Sequence, residues 1–252
     1  SSNSTVTDPS GITAVNFNTI NQTSASTSTY TDYTSISTNV ELGESYPLSV
    51  RVNTDGNFSV YTRVWIDWNR NGSFEASELY ETGFATNTAN GLTDASPFTV
   101  NVPMNATIGS VRMRVSAKSV LNETTPASCE TFQYGEVEDY TINVTRPVGP
   151  EIALRGGTNV IFSGSTTANA LNQTLFAIQD IGTTSVAKEY TVFSIGTAAL
   201  NLNGTPIVQI IGVNASDFTV TEQPASSIAT GATSTFKITF TPSGAGTRTA
   251  IV

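Results

Sequence analysis

The chain has 252 residues, with no histidine, one cysteine, eleven basic and twenty acidic residues. Without histidine there is no Ser-His-Asp triad, no Cys-His pair and no HExxH zinc site, and one cysteine allows neither an intrachain disulfide nor a cysteine-rich zinc site. A net charge of -9 argues against a nucleic-acid partner, whose phosphates need clustered Lys and Arg.

Ser and Thr, 28 and 41 residues, dominate instead. Together with Val, Ile, Phe and Tyr they favour strands, so the composition predicts an all-β secreted or cell-surface protein. No apolar run approaches the roughly 18 residues that span a bilayer, so no membrane insertion is expected. The length favours two domains.

Residues 1–10 are polar and are expected to be loose. Residues 60–68 read as a strand that contains Val64, Trp65 and Ile66. Further on, Phe98, Val100 and Val102 alternate with Thr99 and Asn101, and Val111, Met113 and Val115 alternate with Arg112 and Arg114. Tyr140, Ile142 and Val144 repeat the pattern, as do Phe236, Ile238 and Phe240 near the end. Each reads as a half-buried antiparallel strand with one wet face. Turn signals separate them at Asp55-Gly56, Asn71-Gly72, Asn90-Gly91, Asn203-Gly204 and Pro242-Ser243-Gly244. Many short strands between turns predict sandwiches. Arg146-Pro147-Val148-Gly149-Pro150 suits a stiff linker at residues 147–150, which separates a first domain, 1–146, from a second, 151–252. Fifteen of the twenty acidic residues precede it, so a cation site belongs in the first domain.

One motif is sharp. Residues 67–78, Asp-Trp-Asn-Arg-Asn-Gly-Ser-Phe-Glu-Ala-Ser-Glu, fit the twelve-residue calcium loop D-x-[DN]-x-[DN]-G-x5-E in full. Calcium takes six to eight hard oxygen ligands. Asp67, Asn69 and Asn71 offer side-chain oxygens, and Gly72 allows the sharp turn. Ser73 offers its carbonyl, Glu75 acts through water, and Glu78 closes the site. The flanking pattern is strand-like, so the loop sits on a β scaffold. Two Asn in place of Asp lower the ligand charge, which suggests a modest affinity of about 0.1–1 mM and a structural role for Ca2+. The other reading is an Asx-rich turn that binds nothing.

A second acidic cluster is Gly135-Glu136-Val137-Glu138-Asp139-Tyr140. In a strand Glu136 and Glu138 share one face and Asp139 takes the other. The cluster reads as a solvated strand edge or as support for the calcium site. Cys129 reads as a small buried or free thiol, since no base exists to activate it. Of Trp65 and Trp68, one reads as core. The other packs on the calcium loop or offers a sugar-stacking platform. Arg112 and Arg114 read as a solvated stripe.

These segments resemble a known family. Residues 65–74 followed by Glu78, then Arg112-Met113-Arg114-Val115, then Gly135 to Tyr140, look like the GEVED domain, which is named for the last motif. Gly11-Ile12, Tyr30-Thr31-Asp32-Tyr33-Thr34 and Leu42-Gly43-Glu44-Ser45-Tyr46 match its opening pattern. The resemblance covers about residues 11–145. It implies an extracellular, non-catalytic β-sandwich module, common in large secreted proteins of the Bacteroidetes. Ser216-Asp217-Phe218-Thr219-Val220 and residues 231–250 look like the choice-of-anchor D repeat, related to the ASPM/SPD-2/Hydin group. That likeness implies an immunoglobulin-like sandwich over 151–252 whose last strand lies beyond Val252 or comes from a strand-donating partner. The combined expectation is an antiparallel, all-β, two-sandwich chain that is not an enzyme. It would act as a spacer, surface-attachment or adhesion region beside other domains of a parent protein. Alternatives are a glycan- or protein-binding accessory region of a secreted hydrolase, and a fibre subunit.

Overall fold

The computed structural model describes residues 10–25, 28–120, 125–130 and 134–252. Residues 1–9 of the segment expected to be loose lie outside the described residues. The chain divides into two compact units, Ser1–Thr145 and Arg146–Val252. Among the described residues every regular element longer than three residues is a strand, and no helix is long and apolar enough to cross a membrane.

In chain order the first unit carries β1 (Gly11–Phe17), β2 (Ile20–Thr23), β3 (Tyr30–Glu41), β4 (Ser45–Asn53) and β5 (Ser59–Ile66). A 3-10 turn (Ala76–Glu78) then leads to β6 (Leu79–Thr86), β7 (Gly91–Leu92), β8 (Phe98–Asn101), β9 (Gly109–Val120) and β10 (Gly135–Thr145). They form two sheets. One runs β2-β1-β4-β7, with β8 also on β4; the other runs β3-β10-β9-β5-β6. Alternation sets the core, because successive strand residues face opposite sides. Val15 and Phe17 of β1, Leu48, Val50 and Val52 of β4, Met113 and Val115 of β9, and Tyr140 and Ile142 of β10 are all fully buried.

One pairing departs from the antiparallel expectation: β3 runs parallel to β10, with a register shift between Tyr140 and Thr141. The two strands are far apart in sequence, so no hairpin turn dictates their relative direction. At the shift Thr141 Oγ1 donates to the Thr34 carbonyl at 2.8 Å, so a side chain bridges the interrupted ladder.

The second unit carries β11 (Ile152–Gly156), β12 (Asn159–Ile161), β13 (Lys188–Ser194), β14 (Leu200–Asn201), β15 (Phe218–Glu222), β16 (Ser227–Ile228) and β17 (Thr233–Phe240). Five strands form an antiparallel sheet in the order β12-β11-β13-β17-β15. The short pair β14-β16 brings Leu200 and Ile228 onto Tyr190, Val192, Phe236 and Ile238. Residues 162–187 hold no strand. Their turns are tied by side chains: Asn169 Oδ1 accepts from Leu171 N–H at 2.8 Å, and Thr174 Oγ1 donates to Asn172 Oδ1 at 2.7 Å. Residues 147–150, expected as a stiff linker, are hydrogen-bonded into this unit. The Pro147 and Gly149 carbonyls accept from Thr197 and Ala198 N–H at 2.9 and 3.0 Å. Ile251 exchanges both backbone hydrogen bonds with Ile211, at 2.8 Å each.

Candidate functional site

β5 delivers the chain into the loop of residues 67–78 with Val60, Val64 and Ile66 locked in the core. Asp67 N–H donates to the Arg112 carbonyl at 2.9 Å, which fixes the first loop residue to β9. Arg70 (φ 55°) and Gly72 (φ 79°) take the left-handed conformation, so the chain reverses tightly. Side-chain oxygens then fold the loop. The two Asp67 carboxylate oxygens accept from Asn71 and Gly72 N–H, each at 3.1 Å. Asn69 Oδ1 accepts from Asn71 N–H at 2.9 Å, and Asn71 Oδ1 from Ser73 N–H at 2.8 Å. Glu75 and Glu78 close a reciprocal cap at the 3-10 turn. Glu78 accepts from Asn69 N–H at 3.3 Å and from Glu75 N–H at 3.2 Å. Glu75 accepts from both amide nitrogens, Asn71 Nδ2 at 2.8 Å and Asn69 Nδ2 at 3.2 Å.

The electrostatics of this loop are one-sided. Asp67 and Glu78 are only 6% and 3% exposed. Among the described residues neither they nor Glu75 form an ion pair. Arg70, within the loop itself, turns away and donates to the Ile108 carbonyl at 3.0 Å. Three carboxylates are thus met only by neutral N–H donors. The oxygens of Asp67, Asn69, Asn71 and Glu78 and the Ser73 carbonyl are hard donors of the kind calcium takes. Among the described residues no three His, Cys, Asp or Glu side chains form a ligand group by themselves. Two of the sequence-expected positions are Asn, and both amides turn their nitrogens to Glu75. Their oxygens accept from Asn71 and Ser73 N–H, so this orientation satisfies donors and acceptors alike.

The second acidic cluster is not a solvated edge. β10 lies inside its sheet, and Glu136, Glu138 and Asp139 are 1%, 0% and 0% exposed. The expected split of faces holds, but both faces are covered. Asp139 on the outer face is clamped by Arg114, Nε to Oδ1 and Nη2 to Oδ2, both at 2.8 Å. Arg112 Nη1 at 3.0 Å and the Tyr30 hydroxyl at 3.2 Å add to Oδ2. The hydrogen bond to Asp139 holds the Arg114 guanidinium pKa above its ordinary value. Arg112 and Arg114 are therefore counter-charges for a buried carboxylate, not a bare solvated stripe. Glu136 and Glu138 face the sheet of β1: Glu136 accepts from Ile12 N–H at 3.1 Å. Register keeps them off the calcium-type loop. Glu138 stands opposite Val115, which stands opposite Val64, whereas Asp67 bonds Arg112, opposite Thr141. Three strand residues separate the two groups, about 10 Å.

Both tryptophans are 4% exposed. Trp68 Nε1 donates to the Tyr80 hydroxyl at 2.8 Å. Trp65 meets Phe74 of the loop at 6.4 Å between ring centroids, and the Arg114 guanidinium lies 5.1 Å from the Phe74 ring. Neither offers an open stacking face. Cys129 is exposed and free. The Arg114 clamp links β10, the 128–129 segment (Nη1 to the Ser128 carbonyl, 2.9 Å) and the loop at Phe74, a role that alternation alone did not reveal.

A β-sandwich with a hydrogen-bonded acidic loop at the end of one strand defines the first unit as a non-helical loop-bearing module. Residues 61–143 match the family model of the GEVED domain. That span holds the loop, the arginine pair and the acidic strand motif. No curated protein matches the chain. Among solved structures, a mutant of Salmonella alpha-2-macroglobulin aligns over 82% of this chain at 11% identity, with a TM-score of 0.33. The chain spans 14% of the length of that protein, and a likeness at this level carries no inference.

Proposed function

We propose that the first unit is a calcium-stabilised, non-catalytic extracellular module, and that the chain serves as a spacer, surface-attachment or adhesion region of a larger secreted protein. The observation that carries this reading is the loop 67–78, where Asp67 and Glu78 are buried without a cationic partner among the described residues. A bound Ca2+ would be held by Asp67, Asn69, Asn71, Ser73 and Glu78, and would offset the clustered charge. Charge distribution supports the placement. The first unit has fifteen acidic against six basic residues, and the second has five of each, so the whole net charge of -9 lies in the first. The extracellular placement is what the GEVED match implies. For the second unit, the likeness to a choice-of-anchor D repeat rests on residues 216–220 and 231–250.

The test is a melt of the full chain followed by tryptophan fluorescence, since both tryptophans lie in the first unit. With a dissociation constant of about 0.1–1 mM, about 10 mM calcium stabilises the native state by about 1.4–2.7 kcal/mol. That corresponds to a rise of about 4–10 °C for a unit of this size. Chelator reverses it, and Glu78→Ala removes the calcium response whatever it does to the apo melt. An unchanged wild-type melt in millimolar calcium would sink the site.

A further inference from the structure

We propose that Glu136 and Glu138 hold one proton between the two sheets of the first unit, carried on Oε1 of Glu138, and that this proton makes the closure of β1 onto β10 acid-dependent.

The two side chains point inward from β10, and neither has a cationic partner among the described residues. Two carboxylates in a dry interior cannot both stay ionised without a compensating charge. A metal does not fit the gap. Three of their four oxygens already accept hydrogen bonds, whereas a hard cation needs six or more free oxygens. Glu136 accepts at both: Oε2 from Ile12 N–H at 3.1 Å and Oε1 from Thr31 Oγ1 at 3.1 Å. Glu138 Oε2 accepts from the Tyr140 hydroxyl at 2.6 Å. Glu138 Oε1 is buried with no partner among the described residues.

Donor accounting places the proton on that oxygen. A hydrogen bond from the Ser24 hydroxyl would favour an ionised Glu138, but that hydroxyl has one hydrogen, and at 2.6 Å from the Ile12 carbonyl oxygen, which cannot donate, it is spent there. Its oxygen is then left with lone pairs only, so it can accept and not give. An ionised Glu138 would face those lone pairs with its own. A protonated Oε1–H turned to Ser24 completes a chain, Glu138 to Ser24 to the Ile12 carbonyl. The Ile12 N–H closes onto Glu136. Both backbone groups of one β1 residue are thereby engaged by the acid pair or its relay, across the sandwich.

Other titratable groups do not supply the missing charge. On the inner face stand Tyr140 and, stacked on it at 5.5 Å, Tyr33 of β3. β1 and β2 contain no acid or base. Arg112 and Arg114 of β9 serve Asp139 on the outer face, Lys118 pairs with Glu130, and Asp32 of β3 is exposed. Burial raises both carboxyls, and with the neighbouring Glu138 it pushes Glu136 up to about 8; the hydrogen-bond pattern decides where the proton sits. The unfolded pKa is about 4.5. The folded state therefore keeps a proton that the unfolded state has lost across a window that opens near pH 4.5 and closes at the raised folded value. Stability from this source is full below that window, falls across it and is absent above it.

The experiment uses the full chain in chelator, with tryptophan fluorescence reading urea unfolding from acid to mildly alkaline pH. One retained proton changes the unfolding constant about tenfold per pH unit inside the window. Glu138→Gln puts an amide nitrogen where the proton was, so it should flatten that dependence and keep stability at the acid end. The infrared band of a protonated buried carboxyl should be present in the wild type near pH 6. It should persist in Glu136→Gln and vanish in Glu138→Gln. Absence of the band in the wild type overturns the proposal even if neither variant folds. Loss of the band in Glu136→Gln but not in Glu138→Gln overturns the assignment to Glu138. An unaltered pH slope in Glu138→Gln overturns the stability claim.

Discussion

Replacing Arg114 by Met tests whether the outer face of the acidic strand is held by charge. Asp139 is fully buried, and Arg114 grips both its oxygens while its own side chain is 21% exposed. Removing one partner of a buried pair costs about 3–5 kcal/mol, because the other charge is left desolvated. Here Arg112 at 3.0 Å and the Tyr30 hydroxyl at 3.2 Å remain, so part of that cost is offset. The expected loss is about 2–4 kcal/mol, or about 6–14 °C in the melting temperature of the first unit. Arg112→Met is the control. That side chain is 46% exposed with one contact to Asp139, so it should cost less than about 1 kcal/mol. Urea unfolding by tryptophan fluorescence measures both. Adding Asp139→Asn to Arg114→Met should recover part of the loss, since the stranded charge is gone. Equal costs for the two arginine variants, or an Arg114→Met cost below about 1 kcal/mol, would refute the clamp.

Two further outcomes are expected. Gly83 sits at φ +82° beside the bulge between β5 and β6, and a Cβ there would collide with Asp94 Oδ1, the acceptor for Phe84 N–H. Gly83→Ala should therefore destabilise by about 2 kcal/mol or more, whereas Gly56→Ala, at φ +87° in open space, should cost only the left-handed strain of about 1 kcal/mol, both read by urea unfolding. In the second unit Arg248 Nε donates to buried Asp217 at 2.5 Å, and this hydrogen bond holds the carboxyl below its ordinary 3.8. That contribution is complete above about pH 3.8 and is lost on acidification below it. Arg248→Met should flatten the acid limb of the second unit's melt followed by circular dichroism, and an unchanged limb would refute the pairing.

Much of the fold was legible because alternation reports burial directly. Val111, Met113 and Val115, Tyr140, Ile142 and Val144, and Phe236, Ile238 and Phe240 are all buried as their period implies. The parallel β3–β10 pair was not legible. Local pattern describes a strand's faces, and no short turn joins those two strands to declare their direction. Nor was the role of residues 147–150. Their prolines cannot donate, but their carbonyls can accept, and Thr197 and Ala198 use them. The turns of loop 67–78 were legible, because the side chains of Asp67, Asn69 and Asn71 that the motif singles out also build them. The Glu75 link to the Asn69 and Asn71 amides was not, since spacing does not say which way an amide faces.

The acidic strand shows where such reading stops. Period two correctly put Glu136 and Glu138 opposite Asp139, but it cannot say whether either face is dry. The usual preference of Glu for water then suggested an edge. Register decides otherwise. Because β10 is central and both of its faces are covered, each carboxylate needs a neutralising partner, and position dictates which kind is within reach. On the outer face the neighbouring strand supplies Arg112 and Arg114 opposite Thr141 and Asp139, so charge meets charge. On the inner face β1 and β2 supply only backbone and uncharged side chains, so the proposed answer is a proton. In the loop Asp67 and Glu78 meet only N–H donors, so the proposed answer there is a diffusible cation. The excess of acids in the first unit is thus three local problems with different solutions. Each should answer to a different perturbation: arginine removal for Asp139, alkali for Glu136 and Glu138, and chelation for Asp67 and Glu78. A variant that moved all three responses together would mean the carboxylates act as one coupled field and not as separate sites.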